Sequence, residues 1–298
     1  MQREGSPMGI LDGRVVIITG AGRGMGREHA RLCAAEGASV VVNDLGCERD
    51  GTGSDPTIAE AAADEIVASG GAAVANADDV ATMAGAQKLV DQAVERFGRL
   101  DALINNAGVL RDRMFVNMSE DEWDSCIRGH LKAAFCPTRI AAAYWRDLFK
   151  AGEAVQAAVV STSSTSGLIG QAGQSNYGAA KAGIAAMTVI LAEELGRYGV
   201  RANAITPVAR TRMTEETPGV ADLVKRPEDP AAFDVYNPAN VSPLIAWLIS
   251  AECPATGKVF YVKGGEVRQF LPWHYGKQID GGDRWSVAEL AEAVTPLL

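Results

Sequence analysis

Seven short apolar runs, rich in β-branched and small residues, punctuate the chain, and stretches of helical period separate them. Residues 14–19 (RVVIIT), 39–42, 72–77, 100–104, 157–162, 200–205 and 259–262 read as strands. Apolar runs without polar alternation belong to strands covered on both faces. Residues 27–36, 57–69 and 82–97 read as helices, the last with Ala86, Leu89, Val90, Ala93, Val94 and Phe97 on one face. Residues 119–149 predict one long helix or two. Ser119 and Glu122 have the capping-box spacing, while Gly129 and Pro137 argue against an unbroken helix. Further helices are expected from the stretch carrying Tyr177, from 242–250 and from 286–294.

No linker splits this β/α alternation and no repeat is evident, which predicts an α/β fold, a doubly wound parallel sheet with a C-terminal extension. The expected boundaries are a disordered lead-in over 1–9, with Met8 as an alternative start, a sheet domain over 10–265 and the extension over 266–298. Residues 212–238, rich in Pro, Glu and Asp, read as either a lid over a substrate cleft or an ordinary surface loop.

Composition narrows the function classes. A chain of 298 residues with 47% hydrophobic and 22% charged residues suits a soluble globular protein. A net charge of -9 argues against nucleic acid as a partner. Five cysteines without a C-x-x-C pair point to reduced thiols in the cytoplasm rather than to disulfides or zinc. Three histidines without H-E-x-x-H give no metal site, and no apolar run approaches the roughly 20 residues that span a bilayer.

Two stretches carry chemistry. The first strand feeds Gly20-Ala21-Gly22-Arg23-Gly24-Met25-Gly26 and then a helix, and the second strand ends at Asn43-Asp44. Glycines at such a turn let the backbone approach a pyrophosphate at a helix N-terminus, and an acid at the second strand tip suits a ribose. Asp78-Asp79-Val80 ends the third strand, where a carboxylate could reach an adenine amino group, and Asn105-Asn106-Ala107-Gly108 ends the fourth. Thr206-Pro207 breaks the pattern after the sixth strand. In the second stretch, Tyr177 and Lys181 lie four apart and share a helix face, with Ser164 upstream. A phenol titrates near 10, and a neighbouring ammonium favours its ionised form.

Together the 19–26 turn, the 105–108 turn, Ser164, Tyr177 and Lys181 resemble the short-chain dehydrogenase/reductase family over about 13–265. The resemblance implies a Rossmann-type seven-stranded sheet and hydride transfer at a carbinol or carbonyl carbon. It also implies Tyr177 as general acid/base, Lys181 on the nicotinamide ribose and Ser164 on the substrate oxygen. The cofactor contacts it implies are Gly20, Gly22, Arg23, Gly24, Met25, Gly26, Asp44, Asp79, Val80, Asn106, Ala107, Gly108, Tyr177, Lys181, Pro207, Ala209 and Thr211. His130 stands where the family usually has the Asn of a proton relay, and Pro207-Val208 stands where Pro-Gly is commoner.

Residues 42–46, 108–115, 130–132 and 209–215 are similar to the (3R)-hydroxyacyl-CoA dehydrogenase unit of peroxisomal multifunctional enzymes and its bacterial relatives. That likeness implies an acyl-CoA substrate, and in that subgroup His also replaces the Asn. Asp44 favours NAD over NADP, although Arg23 stands where NADP-preferring members often carry a basic residue. A homodimer or homotetramer is expected from the family. The rival readings are a steroid or other hydrophobic-alcohol dehydrogenase and a nucleotide-binding regulator without catalysis.

Overall fold

The computed structural model describes residues 9–215, 221–229, 231–271, 273–282 and 284–297. The expected lead-in up to Met8 and parts of the 212–238 stretch lie outside them. In chain order the elements are β1 (Val15–Thr19), α1 (Gly24–Ala35), β2 (Ser39–Asn43), α2 (Thr57–Ala68), β3 (Ala72–Asn76), α3 (Met83–Phe97) and β4 (Ala102–Asn105). Then come α4 (Glu120–Ile127), a π-helical turn (Arg128–Lys132), α5 (Ala133–Lys150), β5 (Ala157–Thr162), α6 (Thr165–Leu168) and α7 (Ser175–Leu195). The last are β6 (Val200–Val208), α8 (Arg212–Glu215), α9 (Ser242–Ile249), β7 (Lys258–Lys263), β8 (Glu266–Phe270) and α10 (Val287–Val294).

The strands form one sheet in the order β3-β2-β1-β4-β5-β6-β7-β8, parallel throughout except for the β7–β8 pair. Alternate residues of a strand face opposite layers, and here both layers are dry. Val16, Ile18, Val40, Val42 and Ile104 pack with Ile245 and Leu248 of α9. Val15, Ile17, Val41, Leu103 and Val159 pack with Leu89 of α3 and Trp145 of α5. Each such side chain contributes about 1.5–3 kcal/mol when removed from water, which is why the strands tolerate almost no polar alternation. Chain direction across the sheet reverses between β1 and β4, and a crevice opens beyond the strand ends there.

Two expectations change and one open choice is resolved. The sheet has eight strands, because the extension contributes β8 as an antiparallel edge. Pro207 does not break β6; it pairs with Val262 in register. The Ile205 carbonyl points toward β5, accepting from Ser163 N–H, and β5 pairing ends at that residue. Two residues on, Pro207 turns its missing N–H to a side where the neighbouring strand has stopped. Finally, 119–149 is two helices joined by the π turn. Ser119 and Glu122 make the reciprocal capping box, and Pro137 is accommodated inside α5 one turn past the widened segment.

Candidate active site

The crevice at the β1/β4 switch is a cleft of about 410 Å³, within the roughly 300–1,000 Å³ usual for ligand sites. Gly20, Arg23, Gly24, Met25, Asp44, Asp79, Val80, Asn106, Ala107, Gly108 and Thr211 line it. Of the other expected contacts, Gly22, Gly26, Tyr177, Lys181, Pro207 and Ala209 do not line it, and neither do Ser164 and His130.

Local chemistry explains the cleft's shape. Thr19 Oγ1 accepts from the backbone N–H of Asn106 at 3.0 Å and of Ala107 at 3.1 Å. The Asn106 amide donates back to the Thr19 and Gly20 carbonyls. The Asn106 side chain therefore ties the two strand-end turns together rather than reaching into the cleft. The Asp44 carboxylate accepts from Gly22 N–H (2.9 Å) and Gly46 N–H (2.8 Å), which fixes it at the rim. A β-carbon on Gly22 would lie 2.5 Å from Ile58 and 3.0 Å from Asp44 Oδ2. Asp79 is held by Ala81 N–H and paired with Arg128, so its carboxylate is already engaged. The loop over 45–56 bends across the cleft, where the Arg49 carbonyl accepts from Leu110 N–H at 3.0 Å.

These residues fit a dinucleotide. Helix α1 begins without a side-chain cap and with no acid in its first turn, leaving its first N–H groups and positive dipole end for an anion.

Past Gly108 the second stretch assembles. Lys181 Nζ donates to the Thr162 carbonyl at 2.6 Å, and Ser163 Oγ donates to the Lys181 carbonyl at 2.7 Å. The end of β5 thus clasps α7 at Lys181. Lys181 Nζ lies 5.5 Å from the centre of the Tyr177 ring. Ser164 caps α6 by accepting from Ser166 N–H, and its hydroxyl is near enough to Tyr177 to favour the ionised phenol. His130, in the π turn, meets Tyr177 edge-on with ring centres 5.0 Å apart. Its other side presses on Gly108, where a β-carbon would come within 2.2 Å of Cε1. His130 Nε2 bonds the Val109 backbone, and Nδ1 is buried without a partner among the described residues.

The electrostatics correct one expectation. Burial pushes the Tyr177 phenol up to about 12; Ser164 pulls it down, and Cys126 and Asp112 add to the rise. Burial also depresses Lys181 to about 7. In the bare site desolvation is the leading cause, so adjacency to Lys181 alone does not ionise the phenol. Burial likewise holds His130 well below its ordinary value, with Lys181 adding to the depression.

Sequence reasoning missed Asn176 and Gln174. Asn176 is fully buried; its amide donates to the carbonyls of Arg111 (2.9 Å) and Glu122 (3.0 Å), and its oxygen accepts Tyr177 N–H. Gln174 joins Ser166 to Asp112. Both lie within three residues of Tyr177, where an amide at a helix entry was the available signal.

The family described as short chain dehydrogenase matches residues 14–219. The chain belongs to that family. Membership makes it an oxidoreductase of CH–OH groups that uses NAD(P) and a small-molecule substrate. It is 44% identical over 284 residues to the hydroxyacyl-CoA dehydrogenase ChsB1 of Mycobacterium tuberculosis, covering 94% of this chain and 87% of that one. It is 41% identical to the mouse peroxisomal multifunctional enzyme type 2 over 88% of its own length, but spans only 33% of that protein. The crystal structure of a short chain dehydrogenase from Mycobacterium avium superposes with a TM-score of 0.86 at 51% identity, covering 97% of this chain and 95% of that one.

Proposed function

We propose that the protein catalyses NAD-dependent interconversion of a 3-hydroxyacyl-CoA and the corresponding 3-ketoacyl-CoA. The observation that carries the chemistry is the grouping of Ser164, Tyr177 and Lys181, joined to the cleft residue Gly108 through His130, which touches both Gly108 and Tyr177. The substrate class rests on the near full-length similarity to a hydroxyacyl-CoA dehydrogenase. The exposed apolar side chains of Met114, Phe115, Val116 and Ile169 also favour a lipid-like substrate.

Ser164 holds the substrate oxygen, and Tyr177 takes the hydroxyl proton as the alcohol is oxidised. Lys181, fixed by the Thr162 carbonyl, holds the ribose and places charge under the phenol. The nicotinamide supplies the hydride acceptor. His130 sets the distance between the Gly108 wall and Tyr177. Tyr177→Phe is expected to lower kcat by about 10²–10⁴ while NADH binding, read by fluorescence, is retained. Wild-type turnover in that variant would remove Tyr177 from the mechanism.

NAD is favoured over NADP because the Asp44 carboxylate is pinned by two backbone donors at the rim, where it would accept from ribose hydroxyls and repel a phosphate. Arg23, also at the cleft, is the competing cation. A higher kcat/KM with NADP would overturn this preference.

Helix α7 is apolar on more than one face. Ile190 on α7 and Phe135 on α5 are exposed, which supports a homodimer or homotetramer through these helices; light scattering would read the mass. No helix among the described residues is long and apolar enough to cross a membrane. A cytoplasmic location accords with cysteines outside disulfides.

A further inference from the structure

A chain of side-chain hydrogen bonds leaves the substrate side of the site and ends on a carboxylate that the reaction does not use. Ser164 Oγ bonds Ser166 Oγ at 3.3 Å, and Ser166 Oγ bonds Gln174 Oε1 at 2.7 Å. Gln174 Nε2 donates to Asp112 Oδ2 at 2.8 Å. Its members come from the turn after β5, the entry of α7 and the loop after β4.

The direction of this chain is set at its far end. An ionised carboxylate only accepts, so Gln174 must turn its amide nitrogen to Asp112 and its oxygen to Ser166. Ser166 then has to donate to Gln174, and its own oxygen is left to accept from Ser164. The Ser164 hydrogen is thereby drawn away from the substrate position, where the hydroxyl presents a lone pair. Protonating Asp112 gives its carboxyl a donor, which allows each link to reverse. In the reversed arrangement the carboxylic O–H donates to Gln174 Oε1, the rotated Nε2 donates to Ser166, and Ser166 donates to Ser164 rather than to Gln171 Oε1, its other acceptor at 3.4 Å. The Ser164 hydrogen is then released toward the substrate. A lone pair suits a bound alcohol, which donates; a hydrogen suits a bound ketone, which only accepts.

We propose that Asp112 is a positioning residue that sets, through Gln174 and Ser166, which way the Ser164 hydroxyl turns its hydrogen. The inference rests on the reading above in which Ser164 holds the substrate oxygen. Burial raises the Asp112 carboxyl above its ordinary value, against the pull of the Gln174 amide and the Arg49 charge. The groups facing it from packed elements are Arg49, Gln174, Cys126 of α4 and Tyr177 of α7, with Arg111 and Arg113 on its own loop. Cys126 and Tyr177 titrate at about 11 and about 12, so neither changes charge in the acid range. Lys181 does titrate near neutrality, which makes a substitution at Asp112 the necessary control.

The experiment compares the wild type with Asp112→Asn and Gln174→Ala. Calorimetry measures binding of a 3-ketoacyl-CoA to the NAD complex and of a 3-hydroxyacyl-CoA to the NADH complex, neither of which can react. In the wild type the ratio of the two affinities is expected to shift toward the ketone by about two- to tenfold, the worth of one neutral hydrogen bond, as pH falls through the Asp112 titration. In both variants the ratio is expected to be flat across that range. In parallel, the side-chain amide NMR signal of Gln174, assigned with Gln174→Ala, should move with pH in the wild type and stay fixed in Asp112→Asn. A ratio that still shifts in Asp112→Asn, or a wild-type Gln174 signal indifferent to pH, overturns the proposal. A wild type that turns over no hydroxyacyl-CoA removes the substrate reading instead, and the Gln174 signal alone then decides the chain.

Discussion

Gly108 lines the cleft on one side and carries the His130 ring on the other, which makes Gly108→Ala a sharp perturbation. The added methyl would sit 2.2 Å from His130 Cε1 and 2.6 Å from Nδ1, so the ring must retreat by about 1.2–1.8 Å to reach ordinary contact. It has little room, because its far edge meets Tyr177 and its Nε2 is bonded to the Val109 backbone. Overpacking of a closed core costs roughly 1–3 kcal/mol, and losing the Val109 hydrogen bond adds roughly 0.5–1.5 kcal/mol. The total, about 2–4 kcal/mol, corresponds to a fall in Tm of about 3–6 °C for a chain of this length. Thermal unfolding followed by circular dichroism reads it. The double variant Gly108→Ala/His130→Ala is the decisive companion, since removing the imidazole removes the obstacle. The cycle should return a coupling of about 1–3 kcal/mol in favour of the pair. A single variant that melts with the wild type, or a double variant whose loss is the plain sum of the singles, would refute the reasoning.

Two further outcomes follow from buried polar groups. His29 is fully buried against Ser242, and burial depresses it from 6.5 to about 3. Its folded pKa lies below the unfolded one, so the stability it contributes is complete above pH 6.5 and drains as pH falls toward 3. Between pH 7 and pH 5 the loss should be about 2 kcal/mol, and His29→Leu should flatten the urea midpoint by that amount; an unchanged pH slope would contradict it. Asn176→Ala strips the donor from the Arg111 and Glu122 carbonyls and the acceptor from Tyr177 N–H. It should cost about 2–4 kcal/mol in urea unfolding, with Asn176→Asp failing to rescue, because a carboxylate cannot donate to two carbonyls.

Most of the sheet was legible because strands buried on both faces have little freedom of composition: Val15 to Ile18 can be little else. The glycine turn and the four-residue spacing of Tyr177 and Lys181 were legible for a similar reason, since each is a local geometric demand. What escaped was decided by distant neighbours. Strand β8 (EVRQF) lies at the sheet edge with its central residues exposed, so only pairing with β7 marks it. Pro207 looked like a stop because nothing in its own segment says that β5 ends two residues earlier. The bonds from Asn176 to Arg111 and Glu122 span 65 and 54 residues, and no local period foreshadows them. The depressed Lys181 and raised Tyr177 depend on how completely the fold excludes water, which no spacing of residues states.

The widened turn over Arg128–Lys132 has an effect on everything downstream of it. An α-helix advances about 100° per residue, so accommodating one additional residue per turn resets the angular phase between α4 and α5. That offset lets Cys126 and His130 face the Tyr177 side while Thr138, Ala141 and Trp145 still reach the sheet, where the Trp145 indole donates to the Leu100 carbonyl at 2.7 Å. Chain length at this one place is therefore under a stricter constraint than side-chain identity: conservative replacements leave the gearing intact, whereas dropping or adding a single position would rotate an entire helix out of mesh with the sheet.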